Sequence, residues 1–351
     1  MNDLFFQLIR IALGIQEELP YKPTPEEWAR VHEMAIRQSL VGICFAGVRR
    51  ITNSEDEEYC GMSEFLFMKW MGMAARIQQT SRSMNGYTRE ALTHFRKSGY
   101  PCQVLKGQGI ATLYGDLAPL RECGDVDIWL NISRKELYAL SKKGFGRLDG
   151  VTYHHVHYPM FENCEVEAHI IPSFLSSPKR NKALKQFCTI YQPSAGCNAI
   201  PSLAFNRVFI LLHCYRHFCG HGIGLRQLMD YYFVLKEGFT EAEKSESMLW
   251  IERLGMLKFC NATMWLMQTV FCLEDRFLLC KPDEANGKFL LEEVMQGFGS
   301  ENNNISKSAW ERYLYNLRRD FRTIRISPYE SLWDPIFNLY QFFMSKFVWK
   351  A

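Results

Sequence analysis

The spacing of hydrophobic residues changes twice along the chain. Up to about residue 98 the apolar positions recur at helical intervals. Between residues 99 and 195, short apolar runs of strand length alternate with helical segments. Helical spacing returns from residue 196 and continues to residue 351. The pattern predicts an α+β protein with three regions, a small mixed β-sheet core at 99–195 and helical regions at 1–98 and 196–351.

Within the central region, the pattern predicts four strands and two helices. The predicted strands cover residues 102–106, 125–130, 151–161 and 164–171. One short helix is expected at 108–114. A second helix begins after Ser133, since Ser133 and Glu136 have the spacing of a capping box. Glu162 and Asn163 suit a hairpin turn between the last two strands.

Two acids alternate with apolar residues in the second predicted strand. Asp125 and Asp127 are two residues apart, so in a strand they share one face and lie about 7 Å apart. Their carboxylates can converge on one Mg²⁺, or bridge two ions about 4 Å apart as in phosphoryl-transfer sites. A solvated sheet face is the simpler alternative for this pattern. The later residues decide between the two readings.

The fourth predicted strand supplies a third acid. Glu165, Glu167 and His169 fall on one common face. An acid laid across the sheet from Asp125 and Asp127 completes a cluster of three carboxylates, which repel one another unless cations hold them. Either Glu165 or Glu167 satisfies this reasoning, and the cluster is expected to need metal.

A Lys-Gly turn precedes these acids. Gly107, at the end of the first strand, lets the backbone approach a phosphate closely, and the helix that follows favours an anion at its N-terminus. Lys106 and Arg121 are the candidates for neutralising the charge of a triphosphate.

Histidines form a second group of candidates. His155 and His157 share one face of the third predicted strand and are candidates for lining the site, while His154 is expected to point the other way. His213 and His217 are one helical turn apart, with His221 beyond them. That spacing suits zinc, but core packing or a substrate contact is the favoured interpretation.

Composition and charge argue against several classes of function and location. A net charge of +3 over 351 residues gives no concentrated basic face for a nucleic-acid track. The twelve cysteines contain no CxxC pair and are expected to be reduced thiols. No apolar run approaches the roughly 20 residues of a membrane span. A cytoplasmic protein without a membrane partner is therefore expected.

Several of these motifs together resemble a known family. They are Lys106-Gly107, a short helix ending in Leu-Tyr-Gly, an arginine, Gly-Asp-Val-Asp-Ile at 124–128 and Val-Glu-Ala-His at 166–169. This order is similar to that of the uncharacterised bacterial nucleotidyltransferase family within the DNA polymerase β-like superfamily. The resemblance implies a polymerase β-like core flanked by helices.

The resemblance also implies a role for each matching residue. It makes Asp125, Asp127 and Glu167 the catalytic acids and the ligands of Mg²⁺, with two ions expected. It assigns Glu167, rather than Glu165, as the third acid. The residues it assigns to contacts with the nucleotide are Lys106, Gly107, Arg121 and His169.

The implied reaction is Mg²⁺-dependent transfer of a nucleoside monophosphate from an NTP, such as ATP, to an acceptor, with pyrophosphate leaving. A small molecule or a protein is favoured as the acceptor, whose identity stays open. Two rivals use the same residues. One is a degenerate member that binds a nucleotide or partner without turnover, and the other is a phosphotransferase that moves a terminal phosphate.

Overall fold

The N-terminal region is helical, as its pattern predicts. The structure, a computed structural model, describes residues 2–52, 60–146, 150–220, 222–296 and 309–347. The first helices are α1 (Asn2–Ala12), α2 (Pro25–Arg37), α3 (Val41–Thr52) and α4 (Glu64–Lys97). Helix α2 starts at a capping box in which Thr24 accepts from the backbone of Glu27 and the Glu27 side chain accepts from the backbone of Thr24.

The central region forms the predicted mixed sheet. Its elements are β1 (Cys102–Val104), α5 (Lys106–Ala111), a 3₁₀ segment (Thr112–Leu120), β2 (Val126–Leu130), α6 (Arg134–Phe145), β3 (His155–Tyr158), β4 (Val166–His169) and α7 (Pro178–Ile190). The strand order is β1-β2-β4-β3. Strands β2 and β4 are parallel, whereas the β1–β2 and β3–β4 pairs are antiparallel. Helix α6 opens at the predicted capping box of Ser133 and Glu136.

The predicted strands are too long, and the third shows why. Val151 forms an isolated bridge with Val156, so the chain doubles back between them. Thr152 fixes this turn, because its N–H donates to the His155 carbonyl at 3.0 Å and its Oγ1 accepts from the His155 N–H at 3.1 Å. The predicted strand 151–161 is therefore wrong in its first part. The predicted helix 108–114 also differs, since it begins at Lys106 and continues as the 3₁₀ segment.

The C-terminal region is helical. Its elements are α8 (Leu203–Cys219), α9 (Leu225–Lys236), α10 (Glu241–Arg253), α11 (Leu257–Phe271), a 3₁₀ turn (Asp275–Phe277), α12 (Glu284–Gln296), α13 (Ala309–Thr323) and α14 (Pro328–Phe347). No helix among the described residues is long and apolar enough to cross a membrane.

The two faces of the sheet belong to different hydrophobic clusters. On one face, Ile128 packs with side chains from α4 and α6, such as Phe95 and Leu137. Trp129, on the other face of β2, packs with the surrounding helices and stacks on Phe205 with ring centroids 5.2 Å apart. Since alternate residues of a strand face opposite ways, residues at odd positions of β2 lie on the Trp129 face.

Candidate functional site

Two of the predicted acids lie side by side on the Trp129 face of the sheet. Asp127 of β2 is the register partner of Glu167 in the neighbouring parallel strand β4. Register partners in adjacent strands project in the same direction. Asp127 is only 4% exposed and Glu167 is half-buried, so both carboxylates are largely removed from water.

Lys106 reaches this pair from the turn after β1. Both Lys106 (φ 31°) and Gly107 (φ 36°, ψ −113°) have positive φ, and the turn is tied to β2 by a hydrogen bond from Leu105 N–H to the Asp127 carbonyl at 2.9 Å. The ammonium of Lys106 lies 2.9 Å from Asp127 Oδ1. The positive-φ backbone of the Lys-Gly turn thus places the ammonium of Lys106 next to Asp127, the most buried acid of the site.

His169 joins the two carboxylates. Its Nε2 lies 2.9 Å from Asp127 Oδ1 and 3.1 Å from Glu167 Oε2. The ring is buried, and its Nδ1 has no hydrogen-bond partner among the described residues. We call Asp127, Glu167, Lys106 and His169 the acidic cluster.

The charges of the acidic cluster stabilise one another. Burial opposes the charge on Lys106 and on His169, but the neighbouring carboxylates outweigh it and raise the pKa of both groups. Burial also opposes the charge on Glu167, yet its hydrogen bond to His169 and the nearby Lys106 lower the pKa of that carboxyl. The cluster is therefore an array of opposite charges held in a site of low polarity.

Asp125 lies at the open edge of the cluster. It directly precedes β2, which begins at Val126, and its side chain is exposed. Partial burial of the carboxyl and repulsion by Asp127 and Glu167 raise its pKa. Asp125 was predicted to be the first residue of this strand, but the observed strand begins one residue later, so Asp125 lies at its N-terminal end.

Glu165 and Glu167 have different surroundings. Glu165 is exposed and contacts Nδ1 of His157 on the neighbouring strand β3. Glu167 instead accepts from His169, which also contacts Asp127. Of the two candidates for the third acid, Glu167 is the one joined to Asp127 through a shared partner.

Arg121 has another partner. The guanidinium is buried and forms two hydrogen bonds to Asp230 of α9, from Nε to Oδ1 and from Nη2 to Oδ2, each 2.7 Å long. The Tyr114 hydroxyl donates to the same carboxylate at 2.6 Å. These contacts join the 3₁₀ segment to α9, so the guanidinium that the sequence assigned to the triphosphate is paired with a carboxylate in the structure.

The histidines of β3 adjoin the acidic cluster. His155 Nδ1 lies 3.4 Å from Glu167 Oε2, and His155 Nε2 lies 3.3 Å from His157 Nε2. His154 was expected to point away, but its Nε2 lies 3.3 Å from His155 Nδ1. The turn at Thr152 interrupts the strand before His155, so strict alternation does not apply to His154.

The histidines of α8 form no comparable cluster among the described residues. His213 and His217 have ring centroids 4.5 Å apart on α8, and His221 lies outside the described residues. Within the described part of the chain, the sets of side chains that are close enough to share a metal ion all lie on the sheet, and they draw on Asp127, Glu167 and the histidines at 154, 155, 157 and 169.

The acidic cluster offers the kind of ligand atoms that bind a hard divalent cation. Asp127, Glu167 and His169 offer ligand atoms that lie within 4.8 Å of one another. Carboxylate oxygens are the ligands that Mg²⁺ prefers, usually one or two from the protein with the rest from water and phosphate. The carboxylates of Asp127 and Glu167, with Asp125 at the open edge, fit that requirement.

Comparison with known proteins gives one family. The model of a family described as uncharacterised nucleotidyltransferase matches residues 24–272, a range that includes the whole sheet and the acidic cluster. No curated protein and no solved structure matches the chain.

Proposed function

Since the chain belongs to the uncharacterised nucleotidyltransferase family, we propose that its acidic cluster transfers a nucleoside monophosphate from an NTP to an acceptor. Mg²⁺ is the proposed cofactor, and a DNA polymerase β-like core is the proposed setting. The single observation that supports this most strongly is the pairing of Asp127 with Glu167 on adjacent strands, beside the Lys-Gly turn.

Asp127 and Glu167, with Asp125 at the edge, are the residues that would hold Mg²⁺. The ion would supply positive charge to the triphosphate and the leaving pyrophosphate. Lys106 and His169 contact these two acids and balance their charge. This arrangement keeps the carboxylates charged and close together, so the site is organised before the cation and nucleotide bind.

We assign the contact with the phosphates to the Lys-Gly turn. Glycine at position 107 leaves open space, because a Cβ there would meet only the Asp125 carbonyl, at 3.8 Å. The turn can therefore be approached closely by a phosphate oxygen. The side chain of Lys106 is one-fifth exposed, and we assign its ammonium to the triphosphate.

His169 is a positioning residue in this scheme. Its one ring nitrogen holds the carboxylates of Asp127 and Glu167 in a common orientation. Arg121 has no part in the scheme, since its guanidinium is paired with Asp230. The small net charge of +3 supports a small molecule or a protein as the acceptor.

The test uses NTPs labelled at either the α- or the γ-phosphate, with Mg²⁺ and a mixture of acceptors. Nucleotidyl transfer places the α-label on the acceptor and the γ-label in pyrophosphate. All four common NTPs are tried, since the donor is unassigned. Removing divalent cations with a chelator should abolish both products, and added Mg²⁺ should restore them.

Other products would overturn the proposal in distinct ways. A γ-label on the acceptor, with release of a nucleoside diphosphate, would identify a phosphotransferase. Nucleotide binding with neither product across the acceptor mixture would identify a member that binds without turnover.

A further inference from the structure

Two histidines beside the acidic cluster approach each other through their Nε2 atoms. His155 Nε2 and His157 Nε2 lie 3.3 Å apart on β3. Their other ring nitrogens face acids, since His155 Nδ1 is 3.4 Å from Glu167 Oε2 and His157 Nδ1 pairs with Glu165 Oε1. His155 Nδ1 also lies 3.3 Å from His154 Nε2.

The neighbouring acids favour one tautomer of each ring. An ionised carboxylate only accepts hydrogen bonds, so it favours the tautomer whose Nδ1 carries the proton. A hydrogen on Nδ1 of each ring, next to Glu167 and Glu165, leaves the lone pairs of both Nε2 atoms available to a cation. Two such nitrogens 3.3 Å apart are held together either by one shared hydrogen or by a cation bound to both.

The separation of the two nitrogens suits a transition metal. Zn–N bonds of about 2.0–2.1 Å at the tetrahedral angle place two ligand nitrogens about 3.3 Å apart. Histidine ligands whose second nitrogen donates to a carboxylate are the usual arrangement around zinc, because the carboxylate fixes the ring and its tautomer. His155, His157 and Glu167 each offer a metal-binding atom, and these atoms lie within 4.8 Å of one another.

The site is formed by the backbone as well as by side chains. Gly150 packs against the ring of His157, and a Cβ at that position would lie 2.6 Å from its Cδ2 atom. A residue with a side chain there would displace the ring. His157 is about one-third exposed (34%), which leaves the solvent side open to water or another oxygen ligand.

We propose that His155 Nε2 and His157 Nε2 bind one Zn²⁺-class ion beside the acidic cluster, with water completing its coordination. Glu167 orients His155, and Glu165 orients His157. The site shares Glu167 with the proposed magnesium site, but its nitrogen ligands select a softer cation than Mg²⁺. Its existence does not depend on nucleotidyl transfer.

Metal titration tests the proposal. The full chain is freed of metal with a chelator and titrated with Co²⁺, whose visible absorption reports its ligands, and Zn²⁺ is then added as a competitor. The wild type should bind one Co²⁺ that Zn²⁺ displaces. His157→Gln should lose that absorption, while Glu165→Gln should keep it with an affinity about 10–100-fold weaker, as expected for an orienting carboxylate.

Two controls separate this site from other effects. His94, whose Nε2 contacts the Tyr158 hydroxyl at 2.8 Å, lies outside the proposed ligand set, so His94→Gln should bind Co²⁺ as the wild type does. Asp127→Asn should also retain Co²⁺, even where it abolishes nucleotidyl transfer. Equal Co²⁺ binding by wild type and by folded His157→Gln would overturn the proposal, as would a wild type that binds no Co²⁺ and holds its histidines by hydrogen bonds alone.

Discussion

At the scale of single residues, Lys106 links the turn after β1 to Asp127, since its ammonium lies 2.9 Å from Asp127 Oδ1. Asp127 and Lys106 were proposed from local patterns and Glu167 from the family resemblance, and the structure brings the three into one cluster. Arg121 was assigned to a phosphate, but it pairs with Asp230, which is 109 residues away. A local pattern identifies a cation near a turn, yet it contains no information about so distant a partner.

The position of His154 shows a second limit. Its expected direction followed from alternation along a continuous strand, but the side-chain hydrogen bond of Thr152 interrupts that strand. The density of histidines in His-His-Val-His was the available signal for the cluster. Whether their rings converge depends on a turn that the hydrophobic pattern does not mark.

Gly107 provides a residue-scale prediction. Its φ of 36° lies in the left-handed region, where a Cβ is strained, so Gly107→Ala should destabilise the protein by about 1–2 kcal/mol. It should also lower activity, because the turn carries Lys106. Urea denaturation measures the first effect and pyrophosphate release the second.

Gly124→Ala is the matched control for that variant. Gly124 is exposed, and a Cβ there would meet nothing within 4 Å. Its substitution should leave the free energy of unfolding within about 0.5 kcal/mol of the wild type. Equal stability of the two variants would show that the turn is not strained as described.

At the scale of elements, the strands and helices were predictable but the sheet order was not. The capping box of Ser133 and Glu136 located the start of α6 correctly. The parallel pairing of β2 with β4 depends on the chain crossing over through α6 and β3. That arrangement places Glu167 beside Asp127, and periodicity alone does not determine which strands become neighbours.

The Arg121–Asp230 pair provides an element-scale prediction. Both side chains are at most 5% exposed, and Asp230 is the partner that compensates the buried guanidinium. Asp230→Ala should therefore lower the free energy of unfolding by about 3–5 kcal/mol, since it leaves an unpaired buried charge. Denaturant unfolding followed by circular dichroism measures the change.

The control for this pair is an ion pair on the surface. Arg276 and Glu274 lie 3.0 Å apart, with side chains 70% and 61% exposed. Glu274→Ala should cost at most about 1 kcal/mol. A similar loss in both variants would contradict the structural role given to Arg121 and would reopen its assignment to the nucleotide.

At the scale of the whole molecule, the N-terminal and C-terminal helices share one hydrophobic cluster. It includes Leu8 of α1 and Trp70 of α4 as well as Val270 of α11. The division of the chain at residues 98 and 195 stays a prediction. A shared core requires contacts between distant parts of the sequence, and hydrophobic periodicity shows only that each helix has a face to bury.

Gln38, which is 1% exposed, joins these distant parts by hydrogen bonds. Its Nε2 donates to the Val294 carbonyl at 2.9 Å, and its Oε1 accepts from the Leu225 N–H at 2.8 Å. Gln38→Ala should cost about 1–3 kcal/mol for each backbone group left unsatisfied. Unfolding followed by tryptophan fluorescence and by circular dichroism should still show one transition.

Gln79→Ala is the companion variant. Gln79 is exposed on α4, so its substitution should change the stability little. If Gln38→Ala also left the free energy of unfolding unchanged, the hydrogen bonds from Gln38 to α9 and α12 would not stabilise the protein. If the two probes gave separate transitions, the helical regions would not share a cooperative core.

The central claim is that Asp127 lies in the active site of a nucleotidyltransferase. The most direct measurement compares pyrophosphate release by the wild type, Asp127→Asn and Asp116→Asn, with circular dichroism as a check of folding. Asp116 is an exposed residue of the 3₁₀ segment, so the control makes the same chemical change away from the cluster. We predict that Asp127→Asn lowers release by at least about 10³-fold and that Asp116→Asn leaves it unchanged. Wild-type release from a folded Asp127→Asn variant would contradict the account.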